Sequence, residues 1–471
     1  MDGVLALPKE EDREKHQTAI LHNLDELLGS ATEANLKNLY ETVTTDRMLG
    51  VVDPLLKQII GRFRQVNRQR LAAVARYFAT QAGHREAVKF GIALLGVVGT
   101  PDDVDALIKL GSNDEFSLFA AVAIGRLASE PEKRLWEMAK LVHGWGRIQI
   151  VERLVRTNDP QIQAWLLREG FRNSIMDEYL ACICARAGRL HEALKAPVLD
   201  RPLLDGAADI FRALICGGPA ESIDDYENAA EAAESYVNHV WSSRGIDLRH
   251  FLAVDDLLRY AEDAARKDGR SRRGWNEERE GQIRALCKDI LRREVWDGMV
   301  REGLGSSDEM AFYEADLAAH RLGISTRDIH FAKVRAAPTK SSSWYELLRQ
   351  TNEAQIDEVL HFAESALPLE EIATGPSDSL GLGQEFEPHR ALGWVLQGLS
   401  RFPGRGWRLI RVGLKSPVVN NRVMSVKALA TWREENWPRE AIKVFKAALE
   451  TEPHPGVKQG LGELLRRKPV N

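Results

Sequence analysis

Three arginines, Arg126, Arg156 and Arg186, stand one 30-residue period apart. A guanidinium is a permanently charged fork of donors that matches carboxylates and phosphates. Repeated at a fixed period, such groups do one of two things. Each bonds carboxylates or carbonyls of the neighbouring repeat, or together they form a basic stripe offered to an acidic partner. A second set lies near the C-terminus, where Arg422 and Lys427 accompany Trp407 and Trp432. Cations beside indole rings suit phosphate contact and base stacking. The competing expectation, which the usual burial of tryptophan favours, is that these rings fill the terminal core.

Other chemistry is harder to build from this chain. Glu309, Asp316 and His320 fall along one edge of an expected helix over 308–321, with Asp316 and His320 four apart. The Glu-x-x-His spacing of di-iron helices is missing, so a solvated face is expected. Cys182 and Cys184 diverge by about 200° on a helix and have no histidine at ligand spacing, which makes them small buried hydrophobes. HExxH, P-loop, GxSxG and dinucleotide patterns are missing, and the partial glycine motif GLGQEF at Gly381 follows no strand signal. The expectation is therefore no catalytic residue, cofactor or metal. Arg126, Arg156, Arg186, Arg422, Lys427, Trp407 and Trp432 are the candidate binding residues.

Charge is unevenly placed. From Pro388 to the end there are 16 Lys plus Arg against 6 Glu and no Asp, a balance of +10, whereas the whole chain carries −5. The C-terminal region is thus cationic on an otherwise acidic protein, which makes nucleic acid a possible partner for that region alone. Hydrophobic content of 44% and charged content of 28% fit a folded chain. No apolar run approaches the roughly 20 residues that span a bilayer, and the N-terminal MDGVLALPKEEDREKH lacks the features of a secretory signal. A cytoplasmic protein with no membrane partner is expected.

The elements that must position these residues announce themselves by proline. Pro101, Pro131 and Pro160 follow Thr100, Glu130 and Asp159 at intervals of 30 and 29 residues. Proline is tolerated at the first helical position, where its missing N–H has no acceptor to lose, and the residue before it can cap. Apolar helices follow at the same beat: FSLFAAVAIGRLA from Phe116, GRIQIVERLVRT from Gly146 and MDEYLACICARAG from Met176. Two short helices per period make a hairpin that must stack to bury its apolar face.

The reading is an all-α solenoid. It has an N-terminal helical cap over 1–65, regular hairpins over 66–220, and an irregular helical region over 221–385. Basic repeats return over 386–471. Loops are expected at KDGRSRRG, 267–274, and at LEEIATGPSDSLGLGQEFEPH, 369–389.

Two stretches carry a resemblance. Gly99–Ala128 and Leu414–Arg467 are similar to HEAT or armadillo-type repeats, in which a Pro- and Asp-rich turn opens a hairpin and a basic residue enters the second helix. Arg422 in SPVVNNRVMSVKAL sits where those families place that arginine. The resemblance implies a scaffold or binding role and brings no catalytic residue. The function expected is a non-enzymatic scaffold that engages a macromolecule, a protein first of all, along its repeat surface. The alternative is nucleic-acid binding or repair through the C-terminal repeats, since some glycosylases are built of HEAT-like repeats. There Trp407 and Trp432 with Glu434 or Glu435 would sit at the lesion.

Overall fold

The computed structural model describes residues 10–62, 67–263, 274–340 and 342–467, so most of the 267–274 segment lies outside the described residues. The fold is all-α: among the described residues there are 27 α-helices and no strand beyond one bridge between Ser379 and Val418. The chain forms two compact units, 1–299 and 300–471, and they part inside the segment 221–385.

In the first unit the second helices of successive hairpins pack side by side. They run Arg85–Val98, Asp114–Leu127, Gly144–Val151, Glu178–Ala187, Arg201–Cys216 and Leu248–Glu262, each against the next. The beat lost from the sequence after residue 220 is thus kept in the packing, because Leu248–Glu262 joins the same row. The first helices form another layer, in which Val104–Gly111 packs on Pro131–Ala139 and Ala229–Ser242 on Glu277–Leu291. The second unit repeats the plan with Ser343–Gln350, Glu387–Gly398, Val419–Thr431 and Pro455–Arg466.

Local chemistry starts these helices. The Asp103 carboxylate accepts the Thr100 N–H at 2.8 Å, and Asp159 accepts those of Gln161 at 2.8 Å and Ile162 at 3.4 Å, so the prolines at 101 and 160 sit in capped turns. Glu130 makes no such cap. Its carboxylate pairs with Lys133 at 2.5 Å, leaving Pro131 as the turn's start signal. The helix expected from Gly146 through Thr157 stops at Val151, so Arg156 lies in the turn that follows it.

Close approach sets the spacing of the row. A Cβ on Gly91 would lie 2.3 Å from the backbone nitrogen of Ala79 in the partner helix Arg68–Gln81, a contact no side chain can make. Gly125 has open space around its Cα. Gly91→Ala should therefore destabilise by about 1–3 kcal/mol. Gly125→Ala should stabilise by up to about 1 kcal/mol through helix propensity. Urea unfolding of the two variants beside the parent chain checks both signs.

Candidate binding surface

Three features stand on or beside the row of second helices in the first unit. Near its N-terminal end an apolar groove of about 230 Å³ is lined by Leu49, Val52, Leu56, Leu118 and Val122, with Asp53, Arg126 and Arg153 as its charged members. Further along, Trp145 is 47% exposed and lies 5.2 Å, ring to ring, from Tyr179 on the next helix. Further along the row is a seam of ion pairs.

The three periodic arginines part company here. Arg126 and Arg156 are exposed, and among the described residues neither has a hydrogen-bond or ion-pair partner. Arg186 is bound on three sides, by Glu221 at 2.6 Å, by Glu227 at 2.9 Å and by the Asp225 carbonyl. Those hydrogen bonds raise its proton affinity above the ordinary arginine value. The period in sequence therefore does not make a continuous ladder, since only Arg186 bonds the following segment.

A buried basic residue that the sequence reading passed over holds the row instead. Arg147, the fourth residue of its helix, donates to the carbonyls of Val142 at 2.9 Å and Ala139 at 3.2 Å in its own hairpin. It also reaches Arg172 at 2.8 Å and Glu169 at 3.3 Å in the next. Arg422 holds the corresponding fourth position in Val419–Thr431. It donates to the carbonyls of Ser416 at 2.8 Å and Pro417 at 3.0 Å, and it forms a fork with Glu452 at 2.8 and 2.9 Å. Arg422 is 0% exposed, which corrects its place among the candidate binding residues: it can touch no partner without unfolding the repeat.

Of the C-terminal tryptophans, Trp432 is corrected in the same way. Trp432 is 3% exposed, within the core of the second unit. Trp407 packs on Phe445 with its rings 6.2 Å apart and donates to Glu440 at 2.7 Å. Trp432 offers no free face for a base and Trp407 is half-buried, while Glu434 and Glu435 lie in an exposed turn. Lys427 remains exposed, as do Lys415, Lys443 and Lys446, and the ammonium of none of the four has a partner among the described residues.

The edge of Glu309, Asp316 and His320 is also resolved into separate roles. Asp316 accepts from Thr326 at 2.6 Å and lies 3.0 Å from the buried His330 Nε2, whereas His320 meets Arg349. Burial pushes the Cys182 and Cys287 thiols up to about 12 and Cys184 higher still, so these three are inert at neutral pH.

The cluster with the residue types of a metal site is one that the sequence reading did not single out: Asp205, Asp247 and His250, whose ligand atoms all lie within 4.8 Å of one another. Its carboxylates are already engaged. Arg201 pairs with Asp205 at 2.6 Å and with Asp247, and Arg249 lies 3.6 Å from Asp205 and 3.5 Å from Asp209. Arg172 reaches Asp209 at 2.7 Å, and Arg212 reaches Asp256 at 3.6 Å. The arrangement is an interhelical charge seam whose negative groups already face arginines.

No known family matches the chain, and the search of characterised proteins returned no match. Among solved structures, a circular tandem repeat protein with novel repeat topology and enhanced subunit contact surfaces is similar at 15% identity. The match covers 97% of this chain and 93% of that one at a TM-score of 0.15, too low to carry weight for fold or function. No helix among the described residues is long and apolar enough to cross a membrane.

Two outcomes follow from these contacts. Arg422→Met leaves Glu452 buried without a cation and should cost about 3–5 kcal/mol. Arg422→Met with Glu452→Leu should recover the charge part of that loss, as read by urea unfolding. The Asp247 carboxyl is pushed up by burial, but the His250 hydrogen bond and the charges of His250, Arg201 and Arg249 outweigh this and hold it at about 2. A depressed carboxylate stabilises above its unfolded value and loses that contribution as pH falls through its folded one. The stability gap between the parent chain and Arg201→Met, which removes a permanent charge from beside Asp247, should therefore be constant above about pH 5 and shrink from there towards pH 2. Circular dichroism of acid unfolding tests the sign.

Proposed function

We propose that this protein is a non-enzymatic binding scaffold of the HEAT/armadillo type, whose row of second helices engages a protein partner. One observation carries the reading: Arg126 on that row and Arg156 in the turn that follows Gly144–Val151 are exposed and unpaired, and Arg126 lines an apolar groove. Arginines of the surrounding hairpins spend their charge internally. Arg76 pairs with Asp103 at 2.7 Å, Arg134 with Glu137 at 2.5 Å, Arg168 with Asp200 at 2.6 Å and Arg172 with Asp209 at 2.7 Å.

An unpaired guanidinium beside apolar surface is the composition of an interface anchor, since arginine and aromatic residues dominate binding hot spots. The exposed Trp145, packed on the half-buried Tyr179, adds aromatic surface to the same row. The groove, at about 230 Å³, falls below the roughly 300–1,000 Å³ of small-molecule sites and suits one or two side chains of a macromolecule.

The exposed Lys415, Lys427, Lys443 and Lys446 support a second reading, contact with nucleic-acid phosphates at the C-terminal repeats. Burial of Trp432 argues against base stacking as part of it.

The test is partner capture from nuclease-treated lysate by the parent chain and by Arg126→Glu with Arg156→Glu. Both substitutions are on the surface, so the unfolding midpoint should move by less than about 2 °C. Affinity for the captured protein should fall at least about tenfold, through charge reversal at the contact. Unchanged capture by the double variant would remove this face from the binding site. Loss of capture on nuclease treatment, with retention that falls steeply as salt rises, would favour the lysine surface instead.

A further inference from the structure

The segment expected to be an irregular loop near 369–389 is held in place over its central part. The Gly375 N–H donates to the Lys415 carbonyl at 2.8 Å, the Ser377 hydroxyl to the Pro417 carbonyl at 3.1 Å, and the Val419 N–H to the Ser379 carbonyl at 3.0 Å. Arg390, from the helix that follows, donates to the carbonyls of Gly383 at 2.7 Å and Gly381 at 3.2 Å. Gly381 has φ +70° and stands where a Cβ would meet Val418 at 2.8 Å, so this turn requires glycine.

What this fixed backbone displays is apolar. Leu380 and Leu382 are 76% and 73% exposed, among the most exposed of the large hydrophobic side chains described. Around them, residues 369–389 carry Glu370, Glu371, Asp378, Glu385 and Glu387 and no Lys or Arg. Asp378 and Glu385 are exposed and have no ion-pair partner among the described residues. Arg390 spends its donors on backbone carbonyls.

We infer that this loop is a preformed docking element that inserts Leu380 and Leu382 into an apolar pocket of another protein, rimmed by lysine or arginine. Two leucines on a backbone ordered before contact are presented at low entropic cost, and the flanking carboxylates select a cationic rim. The same carboxylates are repelled by anionic leaflets, which sets the loop apart from a membrane-inserting tip. This surface lies in the second unit and is independent of the groove lined by Arg126.

The experiment places a photo-crosslinking amino acid at position 382 of the full chain in its native cells and maps the crosslinked peptide by mass spectrometry. The expected result is a single site in a different protein, on a segment holding apolar residues with Lys or Arg. Purified binding to that protein should weaken at least about 30-fold for Leu380→Asp with Leu382→Asp. For Asp378→Lys with Glu385→Lys it should weaken about tenfold at low salt and less at high salt. Circular dichroism should show both variants folded as the parent. Crosslinks to lipid, to a second copy of this chain or to no protein overturn the proposal, as does unchanged affinity of the leucine variant.

Discussion

Stacked hairpins bury their own turns, and a buried turn leaves backbone carbonyls that helix geometry cannot satisfy. That constraint governs this protein. In the hairpins of Asp114–Leu127, Gly144–Val151 and Val419–Thr431 it is met by a donor at the fourth residue of the second helix: Ser117 donates to the Gly111 carbonyl at 2.8 Å, Arg147 to four carbonyls in two hairpins, and Arg422 to those of Ser416 and Pro417. Where the donor is arginine it can also reach the next repeat, so one side chain closes a turn and fixes the stacking register. Lys89, one residue further into its helix, bonds carboxylates instead of carbonyls, Glu86 at 3.0 Å and Glu115 of the next hairpin at 2.8 Å.

Once cations are committed to the turns and carboxylates to interhelical pairs, the groups left over become informative. On the row of second helices the leftover cation is Arg126, with Arg156 in the turn after Gly144–Val151, and the leftover apolar surface is the groove with the Trp145 and Tyr179 pair. In the second unit it is Leu380 and Leu382 within an acidic loop. The Asp205, Asp247 and His250 trio, which has the residue types for chemistry, is spent on cohesion between Arg201–Cys216 and Leu248–Glu262.

The hairpin architecture was legible because proline and caps mark helix starts by local chemistry, as at Thr100 and Asp159. The central helices escaped the repeat reading because loop length there varies while packing does not, and period counting sees only length. Site residues were less legible. Arg126, Arg156 and Arg186 look alike in sequence, yet whether each is paired depends on Glu221 and Glu227, carboxylates more than thirty residues away from Arg186. Arg147 was missed because it sits among apolar residues in GWGRIQIV, where nothing local says that its fork meets four carbonyls. Its place four residues into the helix, shared with Arg422, was the one available signal.

The most direct measurement is hydrogen–deuterium exchange of the full chain alone and with the protein partner captured from nuclease-treated lysate. The account predicts added protection along 114–127 and 144–156 on binding, with the already buried Val419–Thr431 helix unchanged. Failure of any protein to survive nuclease treatment, or protection that avoids both of those segments, would contradict it.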